Sequence, residues 1–175
     1  NQFVGLSDKK RLVCLLNGGF ESYQREPSYK MSRGVIVKAI LKSDDFENYI
    51  NDFDFIGIEP FTIVLVDWFS TLKTYELVWD GTQKYFSKLK QEPKIWSSST
   101  LYTKQEKQLR KTWFADWLIN HSEYSQQEIL KFHHNSETGT TENSIKMKRS
   151  YVETVSITSV RKSDKNTIMN YISLL

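Results

Sequence analysis

The stretch best suited to chemistry is Asn17-Gly18-Gly19, which closes the apolar run Arg11 to Leu16. A short apolar run ended by such a turn signal reads as a buried strand that delivers Asn17 to its exposed end. Two readings of that end stand side by side. An asparagine amide followed by two residues free to take positive φ and bare their N–H groups suits an oxyanion, with Asn17 catalytic and Gly18 and Gly19 against substrate. The same three residues also suit a plain hairpin turn. Arg33, in Ser32-Arg33-Gly34, lies at an expected helix start, where the dipole disfavours a cation, so a carboxylate or a ligand anion is expected to hold it. In Ser97-Ser98-Ser99-Thr100 no nucleophile-elbow pattern surrounds the hydroxyls, which ordinarily satisfy turn backbone.

Other chemistries find little purchase. His133 and His134 are adjacent, so on a helix they point about 100° apart, and His121 belongs to no metal-ligand spacing, so no metal site is expected. Gly18-Gly19 apart, the seven glycines stand singly, and no phosphate-binding glycine pattern occurs. No cofactor is expected. Cys14, the single cysteine, sits inside the apolar run, where a small buried hydrophobe is its default role. Net charge is +3, from 24 basic and 21 acidic residues mixed along the chain, and nothing in it calls for nucleic acid. No stretch reaches the roughly 18 apolar residues of a membrane span. A cytoplasmic protein with a small-molecule partner is the expectation, its core or cleft wall rich in aromatic side chains, which are 14% of residues.

The elements that must position these residues follow from pattern. Phe3 to Leu6 and Arg11 to Leu16 pair as a hairpin across the polar run Ser7 to Lys10. Glu21 to Met31 is a loop carrying Tyr23, Arg25 and Tyr29 beside the Asn17 end, where recognition side chains gather. Ser32 caps a helix whose buried face is Val35, Ile36, Ala39 and Ile40, and Ser43 caps a second helix over Asp44 to Ile50. Phe61 to Trp68, nearly continuous in β-branched and aromatic residues, reads as a strand covered on both faces. With Thr74 to Trp79 and Lys84 to Leu89, joined at Asp80-Gly81, it forms an antiparallel meander. A helix from the Thr103/Glu106 capping box to about Asn120 buries Leu109, Trp113 and Trp117 against a sheet; its face with Lys104, Lys107 and Lys111 is solvated. A shorter helix follows the Ser125/Glu128 box. Asn135 to Lys148 reads as a mobile loop, Tyr151 to Val160 and Thr167 to Ile172 as strands.

Taken in order, Leu15-Leu16-Asn17-Gly18-Gly19-Phe20, Ser32-Arg33-Gly34, Glu59 to Trp68 and Ile95 to Tyr102 resemble the NRDE family, also called transport-and-Golgi-organisation-like, in its bacterial form. The resemblance spans nearly the whole chain, 1–175, as one domain. It implies an α+β fold similar to the N-terminal nucleophile (Ntn) hydrolases, a four-layer αββα sandwich of antiparallel sheets. The implied activity is hydrolysis of a C–N amide bond by a chain-terminal nucleophile whose own amine is the base. The methionine-cysteine start and the Asn-Arg-Asp-Glu motif of that family are absent, and Asn1 to Ser7 resembles a strand downstream of both. The resemblance therefore implies an inactive form without the nucleophile, and Cys14, being internal, does not replace it. Ser98 stands where the family carries an asparagine that polarises substrate, so Ser98 and Arg33 are implied substrate contacts. A missing strand would also leave an open edge beside Phe61 to Trp68 or Tyr151 to Val160, through which copies would associate. A non-enzymatic cleft that binds or carries an amphipathic ligand, lipid-like or tetrapyrrole, is the alternative.

Overall fold

A computed structural model describes residues 3–121 and 123–175. The chain forms two compact units, Asn1–Thr103 and Lys104–Leu175, with mixed α+β structure.

In the first unit the strands β1 (Phe3–Ser7), β2 (Arg11–Asn17), β3 (Phe61–Asp67), β4 (Lys73–Trp79) and β5 (Lys84–Leu89) form one antiparallel sheet in chain order. The hairpin and the meander are as the alternation of apolar residues predicts. At the β4–β5 turn the Asp80 carboxylate accepts from the N–H groups of Thr82 and Gln83, while Gly81 takes φ +106°. Helices α1 (Arg33–Lys42) and α2 (Phe46–Asp52) lie between β2 and β3 in sequence. Ile36, Val37 and Ile40 of α1 and Phe46 and Ile50 of α2 join Val13, Leu15, Ile63, Leu65, Leu77 and Trp79 in one core.

Several expectations are corrected. Ser32 caps α1 as predicted, but its buried face is Ile36, Val37 and Ile40 while Val35 is half exposed. Both valines are helix-compatible aliphatics, and only contact with the sheet decides between them. Asp45, not Ser43, caps α2, and Ser43 ends α1 instead. Along β3, Phe61, Ile63, Leu65 and Asp67 are buried whereas Thr62, Val64 and Val66 are only half-buried. One face of the strand carries the core; the β-branched residues of the other reflect strand preference rather than full burial. β3 is also paired on both sides, by β2 and by β4, so no open edge lies beside it. The sheet's edges are β1 and β5.

One buried ion pair fastens helix to sheet. The register sets Arg11 opposite Asp67, and Arg11 Nε meets Asp67 Oδ2 at 3.1 Å. Its Nη1 donates to the carbonyls of Ile40 (2.7 Å) and Ser43 (2.9 Å), and its guanidinium lies over the Phe46 ring at 4.3 Å. Every strong interaction of this cation is thus internal.

The second unit holds α3 (Lys104–Ile119), α4 (Gln126–His134) and the hairpin β6 (Ser156–Lys162)–β7 (Thr167–Ser173). Ser125 caps α4 by accepting from the N–H of Glu128, as its capping box predicts. The Leu109, Trp113, Trp117 stripe is not core: Leu109 is exposed, both tryptophans are half-buried, and the residue α3 buries is Arg110. Arg110 Nη1 donates to the carbonyls of Asn143 (3.2 Å) and Ser144 (2.7 Å). Segment 135–148 is therefore pinned and not loose, with Ser144, Ile145 and Met147 buried and Trp113 packed over Gly139. Residues 151–155 precede β6 as irregular chain tied by a Lys148–Glu153 bridge.

Removing one partner of a buried pair leaves an uncompensated charge, so Arg11→Ala and Asp67→Ala are each expected to cost about 3–5 kcal/mol. Denaturant unfolding with amide exchange read in β2 and β3 checks this. The double variant loses less than the sum, and single losses under about 1 kcal/mol would show that the pair is solvated.

Candidate functional site

The site is the end of β2 and what surrounds it. Gly18 leaves the strand at φ +84°, a conformation that favours glycine. Its N–H donates to the Pro60 carbonyl at 3.0 Å, and its own carbonyl accepts from Thr62 Oγ1 at 3.0 Å. The 98–100 segment closes against this turn: Ser98 Oγ donates to the Asn17 carbonyl at 2.7 Å and Ser99 Oγ to the Gly19 carbonyl. A Cβ on Gly18 would lie 2.9 Å from Ser99 Cβ, and one on Gly19 would lie 3.0 Å from the Trp79 carbonyl oxygen. The paired glycines serve close approach of two backbones, and the Gly18 N–H is spent inside the fold.

A cleft of about 620 Å³ opens at this strand end, lined by Asn17, the Ser32-Arg33-Gly34 start of α1, Tyr23, Arg25, Glu59 and Thr100, with Phe3 and Leu15 as its apolar wall. Of the five residues singled out from sequence, the structure brings Asn17 and Arg33 into the cleft lining. Gly18, Gly19 and Ser98 lie behind it, and Ser98 is 2% exposed.

Arg33 has a carboxylate partner, Glu59, at 3.1 Å from Nη2 to Oε2. Its Nη1 also donates to the Pro60 carbonyl (3.0 Å) and to the Tyr23 hydroxyl (3.3 Å). Glu59 Oε1 accepts from Tyr23 OH at 2.8 Å and meets Arg25 Nε at 3.2 Å. Burial, and then the bond to Glu59, push the Tyr23 phenol up to about 12, so it stays a donor across the ordinary pH range. Pro60 is the hub: the residue before a proline is biased to an extended backbone, and the Pro60 carbonyl takes both Gly18 and Arg33. Sequence reading passes over Glu59 because Glu59-Pro60 looks like a connector. The arginine at a helix start, unexplained by the dipole, is the signal that a nearby carboxylate exists.

Asn17 differs from its neighbours. The residue is partly exposed and lines the cleft, yet its Oδ1 is buried and has no hydrogen-bond partner. An unpaired buried acceptor costs on the order of 1–3 kcal/mol. Cys14 faces away from the helix-covered side of β2, opposite Val4 and Val64, and burial raises its thiol to about 11, which keeps it protonated at neutral pH. Among the described residues no group of three or more His, Cys, Asp or Glu is placed to hold a metal ion, and no helix is long and apolar enough to cross a membrane. Comparison with protein-family models, with curated proteins and with solved structures finds no match.

Gly18→Ala is expected to cost about 1–3 kcal/mol from the left-handed backbone alone, and to shift backbone resonances at Ser98, Ser99 and Thr100. A change within about 0.5 kcal/mol with those resonances in place would show that the turn accepts a side chain.

Proposed function

We propose that the first unit is the ligand-gripping part of an NRDE-like, Ntn-type domain whose cleft takes a small amide-bearing molecule, with Asn17 donating to its carbonyl oxygen. One observation carries this reading: Asn17 is exposed to the cleft while its Oδ1 is buried and unpaired. The end of the carboxamide left to meet a ligand is Nδ2, a donor, as a developing oxyanion or a bound carbonyl requires. The sheet supports the same reading, since helices cover one face and a half-buried aliphatic face remains on the other, the arrangement expected of one sheet in an αββα sandwich.

In this proposal the reaction class is C–N amide hydrolysis, and these 175 residues bind the amide without cleaving it. Neither internal nucleophile candidate is available: the Cys14 thiol is protonated, and the Ser98 hydroxyl is committed to the Asn17 carbonyl. The second reading, a cleft that binds without turnover, is favoured by the Gly18 N–H and Ser98 Oγ already having partners, which removes two of the expected polarising groups. Both readings share Asn17 as the ligand contact and use no cofactor. A single cysteine suits the reducing cytoplasm. Self-association, if the protein uses a strand edge, falls to β1, β5, β6 or β7, each of which pairs on one side.

Calorimetric titration with small neutral amides tests the reading. Binding that weakens about tenfold or more in Asn17→Ala, the loss of one hydrogen bond at a buried site, is the expected result, with no hydrolysis of the bound amide. Binding indifferent to Asn17→Ala would overturn the ligand contact, and turnover would show that a nucleophile lies within these residues.

A further inference from the structure

We propose that the ligand of this cleft is an anion, specifically an amphipathic carboxylate that carries the amide and places its charged end on Arg25. The inference rests on the amide-gripping reading above and adds the chemical class of the ligand.

Charge is the first argument. The charged side chains in the lining are Arg25, Arg33 and Glu59, so two guanidinium groups share one carboxylate and one positive charge is left over. The start of α1 lies in the same lining, and its dipole adds to the positive potential. Glu59 already has partners on both oxygens, Tyr23 and Arg25 on Oε1 and Arg33 on Oε2, so its charge is offset within the lining.

The two arginines differ in freedom. Arg33 is 16% exposed and held by Glu59, Pro60 and Tyr23, which makes it part of the wall. Arg25 is 76% exposed and meets Glu59 through Nε at 3.2 Å, sharing an oxygen that Tyr23 also uses. An ion pair this exposed is worth only about 0.2–1 kcal/mol. Its outer nitrogens remain for a carboxylate, which a guanidinium fork grips with two parallel hydrogen bonds. One surplus charge matches one carboxylate better than a phosphate dianion. Phe3 and Leu15 supply apolar contact for the carbon chain between the two polar ends.

The test uses the 175-residue protein and amides of matched length: succinamate, glutaramate and adipamate against butyramide, valeramide and hexanamide. At low ionic strength the best carboxylate is expected to bind about tenfold more tightly than its neutral counterpart, and the advantage fades as ionic strength approaches about 1 M. Arg25→Gln, at an exposed position, is expected to reduce the ratio of the two affinities to within about twofold, with Arg25→Lys intermediate because it keeps the charge but loses the fork. Neutral amides binding as tightly as the acids would overturn the anion assignment and leave the amide reading standing. If neither series binds, the amide reading itself fails. Inorganic phosphate displacing the acids at equal concentration would overturn the choice of a carboxylate.

Discussion

The buried Arg11–Asp67 pair is the constraint on which the first unit depends. It joins β2 to β3 at one end of the sheet, and the same guanidinium holds the carbonyls of Ile40 and Ser43 where α1 finishes. A strand slip of one residue would move every side chain of β2 to the opposite face. With Arg11 fixed against Asp67, Asn17 falls opposite Phe61 on the core side of the sheet, and α1 runs back so that Ser32 and Arg33 arrive at the same strand end. One cation thus ties the β2–β3 pairing to the end of the helix whose start lines the cleft. Charged groups this deep are poor stabilisers against apolar replacements, so what they contribute here is uniqueness of register.

At the opposite end the constraints are local. Gly18 is in a left-handed conformation, two glycines admit a backbone segment that a methyl group would displace, and Asn17 carries a buried acceptor without a donor. Among the described residues no other buried side-chain nitrogen or oxygen lacks a partner; Trp79 Nε1, for example, donates to the Ile58 carbonyl at 2.8 Å. Of the features at this end, the unpaired Asn17 acceptor is the one that carries a free-energy cost in the cleft lining. The Arg25–Glu59–Arg33–Tyr23 cluster belongs to the same region and gives it one surplus charge.

How far this could be read from sequence depends on the range of the interaction. Local signals held: the Asp80-Gly81 turn, the Ser32 and Ser125 caps, and the alternation that makes Tyr75, Leu77 and Trp79 a buried face. Choices decided by tertiary contact did not. Val35 and Val37 are equivalent by period until the sheet selects one, and Ser43 and Asp45 are both good caps until the chain direction excludes the first. The α3 stripe has helical spacing, but spacing cannot say that Arg110 will be the side chain drawn inward by the Asn143 and Ser144 carbonyls. At the site, Asn17 and Arg33 were visible as residue types out of keeping with their surroundings. Ser98 was visible as one of a row of hydroxyls that satisfy turn backbone, whereas Glu59 was not, because its partners Tyr23, Arg25 and Arg33 are distant in sequence.

The unfolding free energy of Asn17→Ala directly tests our proposal that Asn17 is kept in the cleft for a ligand and against stability. Because the substitution removes an unpaired buried acceptor and no hydrogen bond within the protein, the variant is expected to be as stable as the parent or up to about 1–2 kcal/mol more stable. A loss of more than about 1 kcal/mol, the scale of a broken hydrogen bond, would contradict the account and make Asn17 a structural residue of the β2 turn.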